Sequence, residues 1–222
     1  MIHAMDTLEY LNVRKLCFWL VLFVVPCFAF GQDKLHNLRF VQKPSSDLMT
    51  SNEVQQVYQD RSGFIWLATR NGLCAYDGYK VVRYKSNMDM PDLLTNNNIL
   101  CIKDDARHNL WIGTQDGLNV MNLQTGNVRK YTYPEIPNNL VSCLLVTRDN
   151  QVWIGTDNGL CRYEAERDSF LVVDEKRTGG VLSSYAIKAL WEDSEGDIWI
   201  GTWANGLYRY SVREDKFYAY PP

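Results

Sequence analysis

The sequence has 222 residues, 46% hydrophobic and 22% charged, which is the balance of a folded globular chain and excludes disorder as its main character. With 23 Lys and Arg against 26 Asp and Glu the net charge is -3, so no basic field is present to hold a phosphate backbone, and nucleic acid is excluded as an expected partner. The 7 Trp, 13 Tyr and 14 Gly form an excess whose spacing decides the architecture.

Arg14 and Lys15 precede an uncharged apolar stretch from Leu16 to Phe30. As a helix it rises only about 22 Å against a hydrocarbon core of about 30 Å, and Pro26 interrupts it, so it reads as a signal peptide and not as a membrane span. Ala29 and Gly31 supply small residues before a cut at Gln32, giving residues 1–31 as signal and 32–222 as the exported chain. Cys27 fits poorly as a lipidation site because Pro26 precedes it. Arg14 and Lys15 leave together with Asp6 and Glu9, so the net charge stays at -3. Of the 6 Cys, Cys17 and Cys27 leave with the signal, and Cys74, Cys101, Cys143 and Cys161 remain in a compartment that permits disulfides.

Four segments then align on tryptophan: FIWLATRNGLCAY from Phe64, NLWIGTQDGLNVM from Asn109, QVWIGTDNGLCRY from Gln151 and DIWIGTWANGLYRY from Asp197. Trp66, Trp111, Trp153 and Trp199 are separated by 45, 42 and 46 residues, the period of a four-stranded propeller blade. Twelve residues before each Trp stands Val54, Ile99, Val141 or Ile187, which opens the predicted innermost strand. A polar turn leads to the Trp strand, and Asn71-Gly72, Asp116-Gly117, Asn158-Gly159 and Asn205-Gly206 end it. These pairs predict type I′ hairpins with the third strands starting at Leu73, Leu118, Leu160 and Leu207. An aromatic outer strand follows around Tyr84, Tyr131, Phe170 and Tyr218. The fold class is all-β, a β-propeller of four-stranded antiparallel blades, with blades at about 48–85, 94–133, 136–174 and 182–220.

A single-sheet blade has no core of its own, so each Trp is expected to fill the gap to the next blade. Burying one removes on the order of 150–250 Å² from water, an upper estimate of roughly 4–6 kcal/mol. The Gly after Trp-Ile supplies a small residue for close sheet packing, and Ala68 in the first unit is the next smallest choice.

These units resemble the two-component regulator propeller repeat, whose pattern is a polar turn, an aliphatic-Trp-Ile-Gly-Thr strand and a Gly-Leu turn. The first unit, with QDRSGFIWLATRNGLCAYDGYKVVRY, resembles that family's opening blade, and the likeness spans residues 38–220. It implies an N-terminal part of a larger, often seven-bladed ring: the periplasmic sensor region of a hybrid two-component histidine kinase. Such a region is anchored to the inner membrane, homodimeric when intact, and joined to further blades and kinase modules. The resemblance also implies an oligosaccharide or related small molecule as ligand, and Leu38-Arg39-Phe40-Val41 resembles the strand that closes such a ring. A ring interrupted after four blades leaves the last packing face open, so the chain is expected to associate.

Searches for chemistry favour binding over catalysis. His36 and His108 lie in polar stretches away from a nucleophile and read as exposed turn residues. Asp193, Glu195 and Asp197 crowd one turn but read as a solvated turn and not a cation site, since the equivalent turns differ. Cys101 and Cys143 occupy equivalent places on adjacent inner strands, about 10 Å apart where a disulfide needs about 7 Å, so buried thiols are expected. Cys74 and Cys161 are equivalent to each other but two blades apart. No cofactor or metal is expected.

In a four-stranded meander the turns between the second and third strands share a face with the crossovers to the next blade. That face gathers Arg70, Asp116 and Trp203, with Tyr133 and Tyr185 from the crossovers, as candidate ligand contacts. In GTWANGL one extra residue lifts Trp203 into the turn, where a ring can stack on the C–H face of a sugar. The sequence is therefore read as a non-catalytic sensor or ligand-recognition propeller. Two other classes are a propeller enzyme, such as a lyase resembling the streptogramin lyases or a glycan-cleaving propeller, and a scaffold that binds only protein.

Overall fold

A computed structural model describes residues 49–89, 93–182 and 186–220, all in one compact unit. The expected signal, the cut at Gln32, His36, the segment Leu38 to Val41 and Tyr185 lie outside the described residues. Among the described residues sixteen strands form four antiparallel sheets, each a simple meander. The first blade is β1 (Val54–Gln59), β2 (Ile65–Thr69), β3 (Gly72–Tyr76) and β4 (Val81–Tyr84). The second is β5 (Ile99–Asp104), β6 (Asn109–Thr114), β7 (Gly117–Asn122) and β8 (Val128–Tyr131). The third is β9 (Val141–Val146), β10 (Val152–Thr156), β11 (Gly159–Glu164) and β12 (Ser169–Val173). The fourth is β13 (Ile187–Glu192), β14 (Ile198–Thr202), β15 (Leu207–Ser211) and β16 (Lys216–Tyr220).

The four β-branched residues open the inner strands as expected, and the blades pack in series through those strands, β1 on β5, β5 on β9 and β9 on β13. The tryptophans of the first three blades lend their rings forward. Trp66 shares a core with Ile99, Ile102 and Leu110 of the second blade; Trp111 does so with Val141, Leu144 and Tyr163 of the third; Trp153 does so with Ile187, Ile198 and Tyr210 of the fourth. Small residues make this approach possible. A Cβ added at Gly113 would lie 2.7 Å from Val141 Cγ1, and one at Gly155 would lie 2.8 Å from Ile187 Cγ2.

The hairpins after the Trp strands correct the type I′ expectation. Thr69 pairs with Gly72, so the central residues are Arg70 and Asn71, and in the first three blades the third strand begins on the glycine, one residue before the leucine. The left-handed residues are Gly72, Gly117 and Gly159, with φ of 121°, 115° and 121°; Asn71, Asp116 and Asn158 do not join them. A threonine hydroxyl organises the turn instead. Thr114 Oγ1 accepts from the Asp116 amide at 3.1 Å and donates to the Gly117 carbonyl at 2.8 Å, and Thr69, Thr156 and Thr202 repeat the pattern. This is a side-chain-to-backbone device that specifies the turn without positive φ at Asn.

Every inner strand also carries a bulge at its second residue. Gln55, Leu100, Ser142 and Lys188 are skipped in the pairing with the Trp strand, a placement that re-aims these side chains.

Candidate functional site

The bulge at Lys188 builds the most developed group on the predicted binding face. Its ammonium reaches Asp157 Oδ1 at 2.7 Å and sits 5.8 Å from the centre of the Trp203 ring, a cation over an aromatic face. Asp157 and Trp203 each hold the first turn position after their Thr, in adjacent blades. Their amides bond the residue just before the inner strand, at the Leu140 and Ala186 carbonyls. Trp203 is 78% exposed, so its ring is not covering the blade edge. The inserted residue moves the Thr202 anchor one place, to the Asn205 amide and the Gly206 carbonyl.

Asp116 and Tyr133 are joined by Asn139, which donates Nδ2 to Asp116 Oδ1 at 2.8 Å and accepts the Tyr133 amide at 2.6 Å. The Tyr133 ring is 69% exposed beside its cis bond to Pro134. Arg70 is drawn into a different contact, an ion pair with Glu53 at 2.9 Å. Three of the five predicted ligand contacts thus fall into two clusters at successive blade junctions, Asp116 with Tyr133 between the second and third blades and Trp203 between the third and fourth. Arg70 belongs to the rim of the first blade.

On the opposite face the turn at Asp193, read from the sequence as a solvated turn, leaves Ser194 and Glu195 exposed and is ordered around the Asp193 carboxylate. Asp193 Oδ2 accepts the Trp199 indole N–H at 2.8 Å and Oδ1 takes the amides of Glu195 and Asp197, while Asp197 is itself buried and accepts the Val212 amide. Those hydrogen bonds, the Trp199 indole first, hold the Asp193 carboxyl below its ordinary value. The same clamp recurs at Asp60 for Trp66 and at Asp105 for Trp111. In the third blade Thr147 replaces the aspartate, and among the described residues no carboxylate reaches the Trp153 indole nitrogen. There a cleft of about 470 Å³ opens between the third and fourth blades, bordered by Arg148, Trp153, Arg162, Glu192 and Tyr210. Arg148 bridges it, donating its amide and Nε to Glu192 at 2.9 and 3.1 Å. Sequence reasoning missed this cleft; its one signal was Thr147 where the other units carry Asp.

At the rim of the second and third blades Asp168 Oδ1 accepts three donors: Tyr131 and Tyr163 hydroxyls at 2.6 Å each and Arg129 Nη1 at 2.7 Å. Burial alone would raise this carboxyl, but the tyrosine hydrogen bonds and the Arg129 charge outweigh it and hold it below its ordinary value. No metal-ligating cluster occurs among the described residues. His108 is exposed in its turn. Cys101 and Cys161 are buried free thiols and Cys143 is a partly exposed one. Burial raises all three, Cys143 to about 12, so none is poised as a thiolate nucleophile.

Four-stranded meanders packed through their inner strands, with a threonine-anchored turn in each and a Trp packing forward at each of the three junctions, define a β-propeller. The two component regulator propeller repeat matches at residues 49–71, 93–116 and 135–158, so the first three blades carry that repeat. The fourth blade, with its inserted turn, lies outside those matches. Among solved structures, the extracellular domain of a hybrid two component system from B. thetaiotaomicron is similar with a TM-score of 0.71 and 23% identity, over 81% of this chain and 26% of that one. Virginiamycin B lyase from Staphylococcus aureus is similar at 0.57 and 16%, over 75% and 54%. PorZ, a surface component of the type-IX secretion system of Porphyromonas gingivalis, is similar at 0.58 and 16%, over 82% and 29%. The chain spans about a quarter of the length of the two component system domain. No curated protein matches it.

Proposed function

We propose that this chain is a non-catalytic, ligand-recognising part of an exported two component sensor, and that it binds an oligosaccharide or related small molecule on the face bearing Trp203. One observation carries the reading: a tryptophan that the blade core does not use stands 78% exposed in an inserted turn, backed by Lys188 and Asp157. Its ring offers a stacking face and the ion pair offers partners for hydroxyls. Asp116, Asn139 and Tyr133 add a second polar and aromatic set on the same face. The family match supports the sensor role, and the apolar stretch after Arg14 and Lys15 supports export to the periplasm. Ligand would act by biasing the arrangement of propellers across a dimer, a bias passed to membrane-anchored kinase modules.

A glycan array followed by titration calorimetry tests this. The expected result is a glycan bound by the parent and bound about tenfold more weakly by Trp203→Ala, a loss of ~1.4 kcal/mol. Equal binding by both refutes the site. A blank array with turnover of a polysaccharide or cyclic ester favours the enzyme class, and a blank array with successful protein pull-downs favours the scaffold.

A further inference from the structure

The junction between the third and fourth blades departs from the one before it at positions that correspond in register. Val120, paired with Trp111, is replaced by Arg162, paired with Trp153. Arg129 and Tyr131 on the outer strand are replaced by Leu171 and Val173, and the turn aspartate Asp105 by Thr147. Between the second and third blades Arg129 and Tyr131 reach across to Asp168 and fill the rim. Asp215 holds the place of Asp168 in the fourth blade, and among the described residues it accepts only from Tyr210 of its own blade, at 2.7 Å, because Leu171 and Val173 have no donor to offer. A hollow of about 490 Å³ opens there, and it shares Trp153, Arg162, Tyr210 and Val212 with the cleft of about 470 Å³ beside Thr147. Both walls of this groove belong to the two blades that it separates.

In the other three blades the two oxygens of the turn aspartate do different work. Oδ1 accepts the amide four residues on and Oδ2 accepts the indole N–H, at 3.0 and 2.8 Å for Asp60, 2.9 and 2.9 Å for Asp105, and 3.0 and 2.8 Å for Asp193. Thr147 has a single side-chain oxygen. It accepts the Gln151 amide at 2.9 Å, which is the work of Oδ1, and no counterpart of Oδ2 reaches the indole. Trp153 is 4% exposed, and among the described residues no group accepts from its N–H. A nearly buried donor without an acceptor is costly, so the groove carries a place that favours an incoming oxygen. Arg162 stands beside it, its guanidinium 5.9 Å from the centre of the Trp153 ring, with Nε and Nη2 engaged on Glu164 and Nη1 left over. Of the acids on the cleft wall, Glu192 is taken by Arg148 and Asp149 by the Thr147 hydroxyl, while Glu195 is exposed.

We propose that the groove between the third and fourth blades binds a small organic carboxylate with an apolar body. The carboxylate takes the place of the missing aspartate oxygen, accepting from the Trp153 N–H and from Arg162 Nη1, and the apolar body lies along Leu171, Val173 and Phe217. An ionised acceptor makes the stronger hydrogen bond to both donors, and each hollow has the size of a small-molecule site, about 300–1,000 Å³. The ligand then does from outside what Asp105 does from within its own blade, so binding also tightens the third blade. This site lies away from the face bearing Trp203, and the inference does not depend on the sensor reading.

The experiment titrates the isotope-labelled full chain with hexanoate and with its neutral amide, hexanamide, and follows the Trp153 indole N–H signal by nuclear magnetic resonance, with Trp153→Phe to assign it. Hexanoate is expected to move that signal to saturation, and hexanamide at the same concentrations is not. Thr147→Asp restores the carboxylate of the other blades, so it is expected to raise the melting temperature and abolish the hexanoate response. Arg162→Gln, with unchanged far-UV circular dichroism, is expected to bind hexanoate about tenfold more weakly, and Trp203→Ala to bind it as the parent does. No saturable shift in the parent, an equal shift with hexanamide, or binding that survives Thr147→Asp overturns the proposal. A response that Arg162→Gln leaves unchanged, or that Trp203→Ala removes, overturns it as well.

Discussion

Replacing Asp105 by Ala tests whether the turn carboxylates hold the blade tryptophans. Asp105 is buried and accepts four hydrogen bonds: the amides of Arg107 and Asn109 at 2.8 and 2.9 Å, Asn109 Nδ2 at 2.9 Å and Trp111 Nε1 at 2.9 Å. Arg107 is exposed and Asn109 partly so, and their groups can turn to water. The Trp111 ring has no exposed surface, so its N–H is left without an acceptor, which costs about 1–3 kcal/mol. With the weaker turn the total comes to about 3 kcal/mol. At about 2–4 °C per kcal/mol for a chain of this size, the melting temperature falls by about 6–12 °C. Thermal melts followed by circular dichroism measure it, and a double-mutant cycle with Trp111→Phe isolates the orphaned N–H as a coupling of about 1–2 kcal/mol. Thr147→Ala is the control, because Trp153 has no carboxylate to lose, and it is expected to shift the melt far less. A melt for Asp105→Ala within about 2 °C of the parent, or additive effects in the cycle, refutes the reasoning.

Two further outcomes follow from the packing. Gly155→Ala sets a Cβ 2.4 Å from Cys143 Sγ and 2.8 Å from Ile187 Cγ2, and is expected to cost about 1–3 kcal/mol in urea titrations. Gly201→Ala, whose nearest atom is Ala189 Cβ at 3.4 Å, is expected to stay within about 0.5 kcal/mol, so equal costs for the two contradict the account of the small residue. Asp168→Asn is expected to cost about 1 kcal/mol at neutral pH, a figure already reduced for the half-exposed side chain. Because the folded carboxyl lies below its unfolded value, its stabilisation is complete above the ordinary Asp range and is lost as pH falls through the lowered value. The urea midpoints of parent and variant should therefore converge in acid; a constant gap refutes the role of the charge.

The blade pattern was legible because its signals are compositional and repeat at one spacing. Val54, Ile99, Val141 and Ile187 open the inner strands where the spacing placed them, and the tryptophans pack forward as a single-sheet blade requires. The turn type was misread because Asn-Gly is compatible with two hairpins, and the Thr hydroxyl two residues earlier selects the one without positive φ at Asn. The Asp193 clamp was not legible because nothing in a polar loop of carboxylates shows the indole that reaches back to one of them. The bulges left no trace, since skipping Lys188 changes pairing and not composition, and it is that skip which aims the ammonium at Asp157 and Trp203.

The forward packing of Trp66, Trp111 and Trp153 turns each one into a gauge of a neighbour. Trp153 lies in the environment made by the fourth blade, and Trp66 in that made by the second. Detachment of a blade therefore wets the indole of the blade before it, while its own indole is wetted only when the blade after it leaves. Emission from a variant keeping a single one of these indoles reports one named junction, and the order in which such signals change on denaturation maps the direction in which the series unzips.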